Sequence, residues 1–155
     1  MSLQTEFKPA DPDFESRVRA SFARQGIMTL LGARMIKVTP GEVSIELPFR
    51  ADLSQQHGFF HAGVTSTIAD SAGGYAGFTL FPTDASVLTV EFKINLLSPA
   101  KGDRLVATGK VIKPGRTLTI CNLEVDVFEG SKSTPCAYGL QTLMCMYCRP
   151  DAPAS

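Results

Sequence analysis

Hydrophobic residues along this chain follow two periods, and the switch between them lays out the architecture. The helical period comes first. Asp11-Pro12-Asp13-Phe14 predicts a helix start, with Asp as N-cap, Pro at the first helical position and acid in the first turn. Phe14, Val18, Ser21, Phe22 and Gln25 recur at helical spacing, Gly26 marks a stop, and a short apolar piece from Ile27 to Leu31 ends at Gly32. Val43, Ile45, Leu47 and Phe49 then alternate with Ser44, Glu46 and Pro48 after the turn Pro40-Gly41, which predicts a strand, with Arg34 to Val38 as its hairpin partner. Residues 50–60 read as loop. From Gly63 to about Leu80 the helical period returns through Val64, Ile68, Ala72, Tyr75 and Thr79. Gly73, Gly74 and Gly77 sit inside that helix, each costing about 1 kcal/mol there, which implies a close approach to its backbone.

After Phe81-Pro82 the period is two. Leu88, Val90, Phe92, Ile94 and Leu96 alternate with Thr89, Glu91, Lys93 and Asn95, and Pro99 to Gly102 form a turn. Leu105 to Ile112 is a strand broken by Pro114-Gly115. Leu118 to Val127 is a long strand with a phase slip near Cys121, read as a bulge, and Ser133 to Cys148 is the last strand before a polar tail over 149–155. A sheet of such strands must bury one face, and the only long apolar helix available to cover it starts at Gly63. The expected fold is therefore α+β: a strongly curved antiparallel sheet wrapped around one helix, the hot-dog fold. At 155 residues one domain over 1–155 is expected, with its core over about 11–147.

Composition narrows the function classes. Apolar residues make up 44% of the chain and charged residues 19%, a globular balance. Fifteen basic and fifteen acidic residues cancel, so no field of one sign recruits nucleic acid or an anionic membrane. No segment reaches the about 18 apolar residues of a membrane span, and Met1 to Pro12 lacks the apolar core of a signal peptide, so a cytoplasmic location is expected. Cys145 and Cys148 form a C-x-x-C, but on a strand residues three apart face opposite ways and nothing completes a metal set. The four cysteines read as free thiols of a reducing compartment, with no metal.

The chemistry concentrates between Gln55 and Asp70, where both histidines of the chain lie, His57 and His61. A helix opening His61-Ala62-Gly63 presents unpaired N–H groups that suit a developing oxyanion. Asp70, an acid within an apolar helix, suits a general base or a nucleophile. His61 and Asp70 are nine residues apart, about 900° of rotation and about 13.5 Å of rise, so they face opposite sides of one helix. If both act in one reaction, two chains must share each site, and a two-fold pairing makes two such sites.

Gln55, Gly58-Phe59-Phe60-His61-Ala62-Gly63, Asp70-Ser71-Ala72-Gly73, Thr89, Ser98 to Asp103 and Gly115-Arg116-Thr117 together resemble the hot-dog acyl-CoA thioesterases, specifically the phenylacetate-degradation group. The resemblance covers about residues 11–147. It implies hydrolysis of an acyl-CoA to free acid and CoA, with coenzyme A as part of the substrate and no other cofactor. It also implies a homodimer with composite sites, extended to a tetramer as a dimer of dimers. Gln55 stands where the family often has Asn and would add its amide to the oxyanion site. Thr89 stands where the family places a small hydroxyl residue that orients water. His61 would hold the loop and contact the thioester region. Lys113-Pro114-Gly115-Arg116-Thr117 resembles the family's CoA-contacting turn, so Lys113, Arg116 and Lys101 become candidates for the phosphates. Phe60, Gly73, Gly74 and Tyr75 would shape the acyl pocket.

Two rival readings fit the same residues. Asp52 and His57 are spaced as in hot-dog hydratases or dehydratases, without the Asn-Pro those enzymes carry between them. A hot-dog dimer can also bind acyl-CoA without hydrolysing it, although a binder has no evident use for a carboxylate at Asp70.

Overall fold

The computed structural model describes residues 6–153; the start of the N-terminal segment and the end of the polar tail lie outside the described residues. Helix α1 (Phe14–Ala23) begins two residues later than the Asp-Pro signal suggests. Asp11 still organises the entry: its Oδ1 accepts the Asp13 N–H at 2.9 Å, and its other oxygen pairs with Arg17 at 3.3 Å. Gly26 is a start rather than a stop, opening α2 (Gly26–Leu31), which ends on Gly32 at φ +76°.

The hairpin forms as expected from β1 (Arg34–Thr39) and β2 (Glu42–Pro48), turning at Gly41 with φ +77°. The long helix is α3 (Ala62–Phe78). Then come β3 (Ser86–Leu96), β4 (Arg104–Lys113), β5 (Leu118–Glu129) and β6 (Lys132–Met146). All neighbours in the six-stranded sheet are antiparallel, in the order β1-β2-β4-β5-β6-β3, so β1 and β3 are its edges. Helix α3 packs against β2 through β6, so the sheet wraps around it, which is the hot-dog arrangement. Ile68, Ala72, Ala76 and Phe78 of the helix close the core against Ile45, Leu47, Leu105, Leu123 and Leu143 of the strands. Arg17 crosses from α1 to cap the other end of α3, donating to the carbonyls of Phe78, Phe81 and Pro82 with its guanidinium 4.4 Å above the Phe78 ring. Among the described residues no helix is long and apolar enough to cross a membrane.

Two of the sheet's register irregularities bear on the expected strand phases. No slip occurs at Cys121: Thr119, Cys121, Leu123, Val125 and Val127 are all buried on the helix side, and the apolar Leu118 and Ile120 face outward. The irregularity lies across the ladder, between Val111 and Lys113 of β4. Strand β3 does slip, between Thr89 and Glu91. Thr89 pairs with Leu143 and Phe92 with Gln141, so Thr89 and Phe92 share the helix side, whereas strict alternation puts them on opposite faces. This bulge aims Thr89 at α3.

Candidate active site

The helix N-terminus is built mainly from neighbours in sequence, with one long-range tie, the Phe60 N–H donating to the Ala100 carbonyl at 3.0 Å. His61 takes an extended backbone as N-cap, and its Nδ1 accepts the Gly63 N–H at 2.8 Å. Its carbonyl accepts the N–H groups of Val64 and Thr65. The preceding loop closes on Gln55. The Gln55 N–H donates to the Phe59 carbonyl at 2.8 Å, and Gln55 Oε1 accepts the N–H of His57. The side-chain carbonyl thus anchors the turn and the amide nitrogen is left for another partner. Phe60 is buried, edge-on to Phe49 at 5.1 Å between ring centroids. A cavity of about 160 Å³ opens here, lined by Gln55, Phe60, Ala62, Thr65, Leu96 and Cys136. The two expected oxyanion donors are unequal: Gly63 spends its N–H on the His61 ring, whereas Ala62, first in the helix, has no intrahelical acceptor for its own.

Asp70 lies two turns further along α3 and is held by residues far away in sequence. Thr89 Oγ1 donates to Asp70 Oδ1 at 2.7 Å, and Gln141 Nε2 donates to the same oxygen at 2.6 Å. Gln141 Nε2 also reaches the Asp70 carbonyl at 3.0 Å and Thr89 Oγ1 at 3.2 Å. Asp70 and Thr89 line a second cavity of about 320 Å³ with Gly74, Tyr75 and Val87. Its wall also carries three polar pairs: Ser21 with Tyr75 at 3.1 Å, Ser71 with Gln25 at 3.1 Å, and the ion pair of Arg24 with Asp151. Burial pushes the Tyr75 hydroxyl up from its ordinary value, so it enters these contacts as a neutral phenol.

Several expected placements change. Gly73 does not shape a pocket; a Cβ there would collide with Gln141 and Leu123, and a Cβ at Gly109 of β4 would collide with the Gly73 backbone. Gly73 is where the helix touches the sheet main chain to main chain. Gly74 faces the larger cavity, while Phe60 lines the smaller, so within one chain they do not share a pocket. Lys113 ends β4, Arg116 lies in the connection to β5, and Lys101 precedes β4; all three are exposed. The ten residues of β4, about 30 Å of strand, separate the two groups. Asp52 is exposed and gives its two oxygens to Arg50 at 3.1 Å each, a contact that holds its carboxyl below the usual range. It lines neither of these cavities.

Gln141 is the main residue that motif reading passes over. Its signal was present: the period of two puts it on the inward face of β6 with Gly139 and Leu143, and a lone amide among small and apolar inward positions needs a partner. Ser21, Arg24 and Asp151 carried no comparable signal.

The Thioesterase superfamily profile matches residues 57–134, half of the chain. A thioesterase family protein from Silicibacter pomeroyi is 46% identical and superposes with a TM-score of 0.85 over 86% of this chain and 98% of that one. Human acyl-coenzyme A thioesterase 13 is 30% identical over 94 residues, which are 59% of this chain and 65% of that protein. The PaaI protein of the E. coli phenylacetic acid degradation operon shares the fold at 19% identity, with a TM-score of 0.76 over 87% of this chain and 94% of that one. The chain belongs to the thioesterase superfamily and is a hot-dog hydrolase acting on thioesters.

Proposed function

We propose that the protein hydrolyses a small, medium-chain or aryl acyl-CoA at sites shared between two copies of the chain, with Asp70 from one and the α3 N-terminus from the other. One observation carries this reading: Asp70 faces one cavity, and the free amides of Gln55 and Ala62 face a different one. A thioester needs both kinds of group at one carbonyl. Two-fold pairing brings the middle of one α3 to the tip of the other. Edge strand β3 suits that contact, because Leu88, Val90, Phe92 and Leu96 are exposed along it. A further pairing of dimers would give a tetramer.

In this reaction Asp70 takes a proton from water as the water oxygen attacks the thioester carbon. The oxygen of the carbonyl becomes an anion and is met by the Ala62 N–H and the Gln55 amide of the partner subunit. The C–S bond then breaks and CoA leaves as its thiol, recovering the proton. Direct attack by Asp70 would pass through a mixed anhydride instead; a single turnover in ¹⁸O-water that labels the Asp70 carboxyl identifies that route. Lys113, Arg116 and Lys101 would serve the phosphates from whichever subunits bring them to the site. No cofactor beyond the CoA moiety enters, and a reducing cytoplasm suits the free thiols at Cys121, Cys136, Cys145 and Cys148.

The test uses two inactive variants. Asp70→Asn should cut thiol release about 100- to 10,000-fold without changing the oligomer. Ala62→Pro deletes the amide donor at a helix position that favours proline. A mixture refolded together should regain activity, because one site of each mixed dimer then carries neither change. Full turnover by Asp70→Asn would refute the base assignment, and no recovery in mixed dimers would refute the shared site.

A further inference from the structure

We infer that Gln141 is a positioning residue for the reaction: with Thr89 it clamps one oxygen of Asp70 and leaves the other, Oδ2, as the oxygen that reacts. The inference rests on the assignment of Asp70 as the acting carboxylate. Its geometry is independent of any motif. Gln141 is 1% exposed, and its Nε2 sits within reach of Asp70 Oδ1, the Asp70 carbonyl and Thr89 Oγ1 at once. Thr89 gives its own proton to the same Oδ1, and its oxygen lies against Gln141 Nε2. Oδ1 therefore receives two donors from the buried side. Among the described residues no side chain or N–H donates to Oδ2, which is the oxygen left for water at the cavity.

The sequence around the clamp is shaped to admit it. Gln141 Oε1 is buried without a partner, and a Cβ on Gly73 would fall on that atom. Leaving a buried carbonyl unpaired is costly, and so is omitting a side chain in the middle of a helix. Both are accepted at one spot, where the result is an amide N–H aimed at a carboxylate. The opposite orientation of the amide would set its oxygen against Asp70 Oδ1, acceptor to acceptor, so the orientation with nitrogen toward Asp70 is the one that makes the bond. Thr89, expected to orient water, is thereby engaged in holding the base.

The consequence is a split between rate and binding. Gln141 lies behind Asp70 and outside both cavities, so it does not line the space for the acyl group. Gln141→Met keeps the length and removes the N–H donors; Gln141→Asn keeps the amide and shortens its reach. Each is assayed by thiol release on the best substrate among acetyl-, hexanoyl-, palmitoyl- and benzoyl-CoA, with thermal unfolding and Asp70→Asn measured in parallel. Expected for both variants is a kcat lower by about 100-fold per folded molecule, the scale of a misplaced catalytic group, with KM within about threefold. If one variant fails to fold, the other carries the measurement. A kcat within threefold of the parent alongside an inactive Asp70→Asn would overturn the role of Gln141 alone. A rise in KM with kcat intact would also overturn it, by making Gln141 a binding residue. Full turnover in Asp70→Asn would overturn the underlying assignment first.

Discussion

The two halves of the site are assembled in opposite ways. At the α3 N-terminus most bonds join near neighbours, Gln55 to Phe59, Gly58 to Gln55 and Gly63 to the His61 ring, with one long-range tie from the Phe60 N–H to the Ala100 carbonyl. At Asp70 the partners are Thr89, 19 residues away, and Gln141, 71 residues away. The first half takes most of its shape from a short stretch of chain. The second exists only once β3 and β6 have paired and α3 has docked on the sheet. A change to the sheet should therefore damage the Asp70 half much more than the helix tip, and a change at the tip should stay local.

The largest effect on that contrast is expected at Gly109. A Cβ there meets the backbone of Gly73, which cannot rotate aside as a side chain can. Gly109→Ala should cost about 3 kcal/mol and lower Tm by about 10 °C. The substitution lies under the helix at Gly73, next to the Gln141 amide, so turnover should fall although Gly109 lines neither cavity. Thermal unfolding with kcat per folded molecule checks both parts. Unchanged stability and rate would mean that α3 and β4 tolerate separation, and the Asp70 half would then be less dependent on docking than its bonds imply.

That contrast also explains what was legible in the sequence. The hairpin, α3 and the long strands were readable because period and turn residues are local signals. So was the helix tip. Asp70 stood out as an acid in an apolar helix, but its clamp did not. The bulge between Thr89 and Glu91 is unannounced, since Val90 looks like any strand residue, and without the bulge Thr89 belongs to the wrong face. The opposite error arose at Leu118 and Ile120, where two outward apolar residues imitate a phase slip that β5 does not have. The glycines within α3 signal a close approach, yet the neighbours of Gly73, Gly109 and Gln141, come from distant strands that no local pattern connects to it.

A smaller and confined effect is expected at the tip. His61→Ala removes the ring that caps Gly63, a loss of about 1 kcal/mol on the scale of N-cap deletions. The Thr89 and Gln141 bonds to Asp70 involve none of the same atoms, so they should persist. Amide exchange should rise at Gly63 and Val64 and stay unchanged at Ile68 and beyond. Exchange spreading to the middle of α3 would show that the cap supports the Asp70 half as well, and the division into a local and a long-range half would fail.

Alkaline titration gives the most gradual separation, because each half has a buried thiol beside it. Cys121 donates to the Gly73 carbonyl at 3.6 Å under the middle of α3, while Cys136 lines the cavity at the helix tip. Burial pushes Cys121 from 9.0 up to about 12 and Cys136 from 9.0 up to about 11. A raised folded value means that the native state keeps its proton after the unfolded chain has lost it. Each thiol therefore contributes stability fully below pH 9 and progressively less as pH rises toward its folded value. The slope per group approaches about 1.4 kcal/mol per pH unit. Between 9 and 11 both thiols contribute to the loss; above 11 Cys121 alone continues to do so. Urea unfolding at pH 8 to 10.5 should show stability falling in the parent and a shallower fall in Cys121→Ala and in Cys136→Ala. Slopes are the quantity to compare, since each truncation also removes core packing. A slope unchanged in Cys121→Ala would mean that this thiol meets solvent, and that α3 lies less tightly on the sheet at Gly73 than main-chain contact requires.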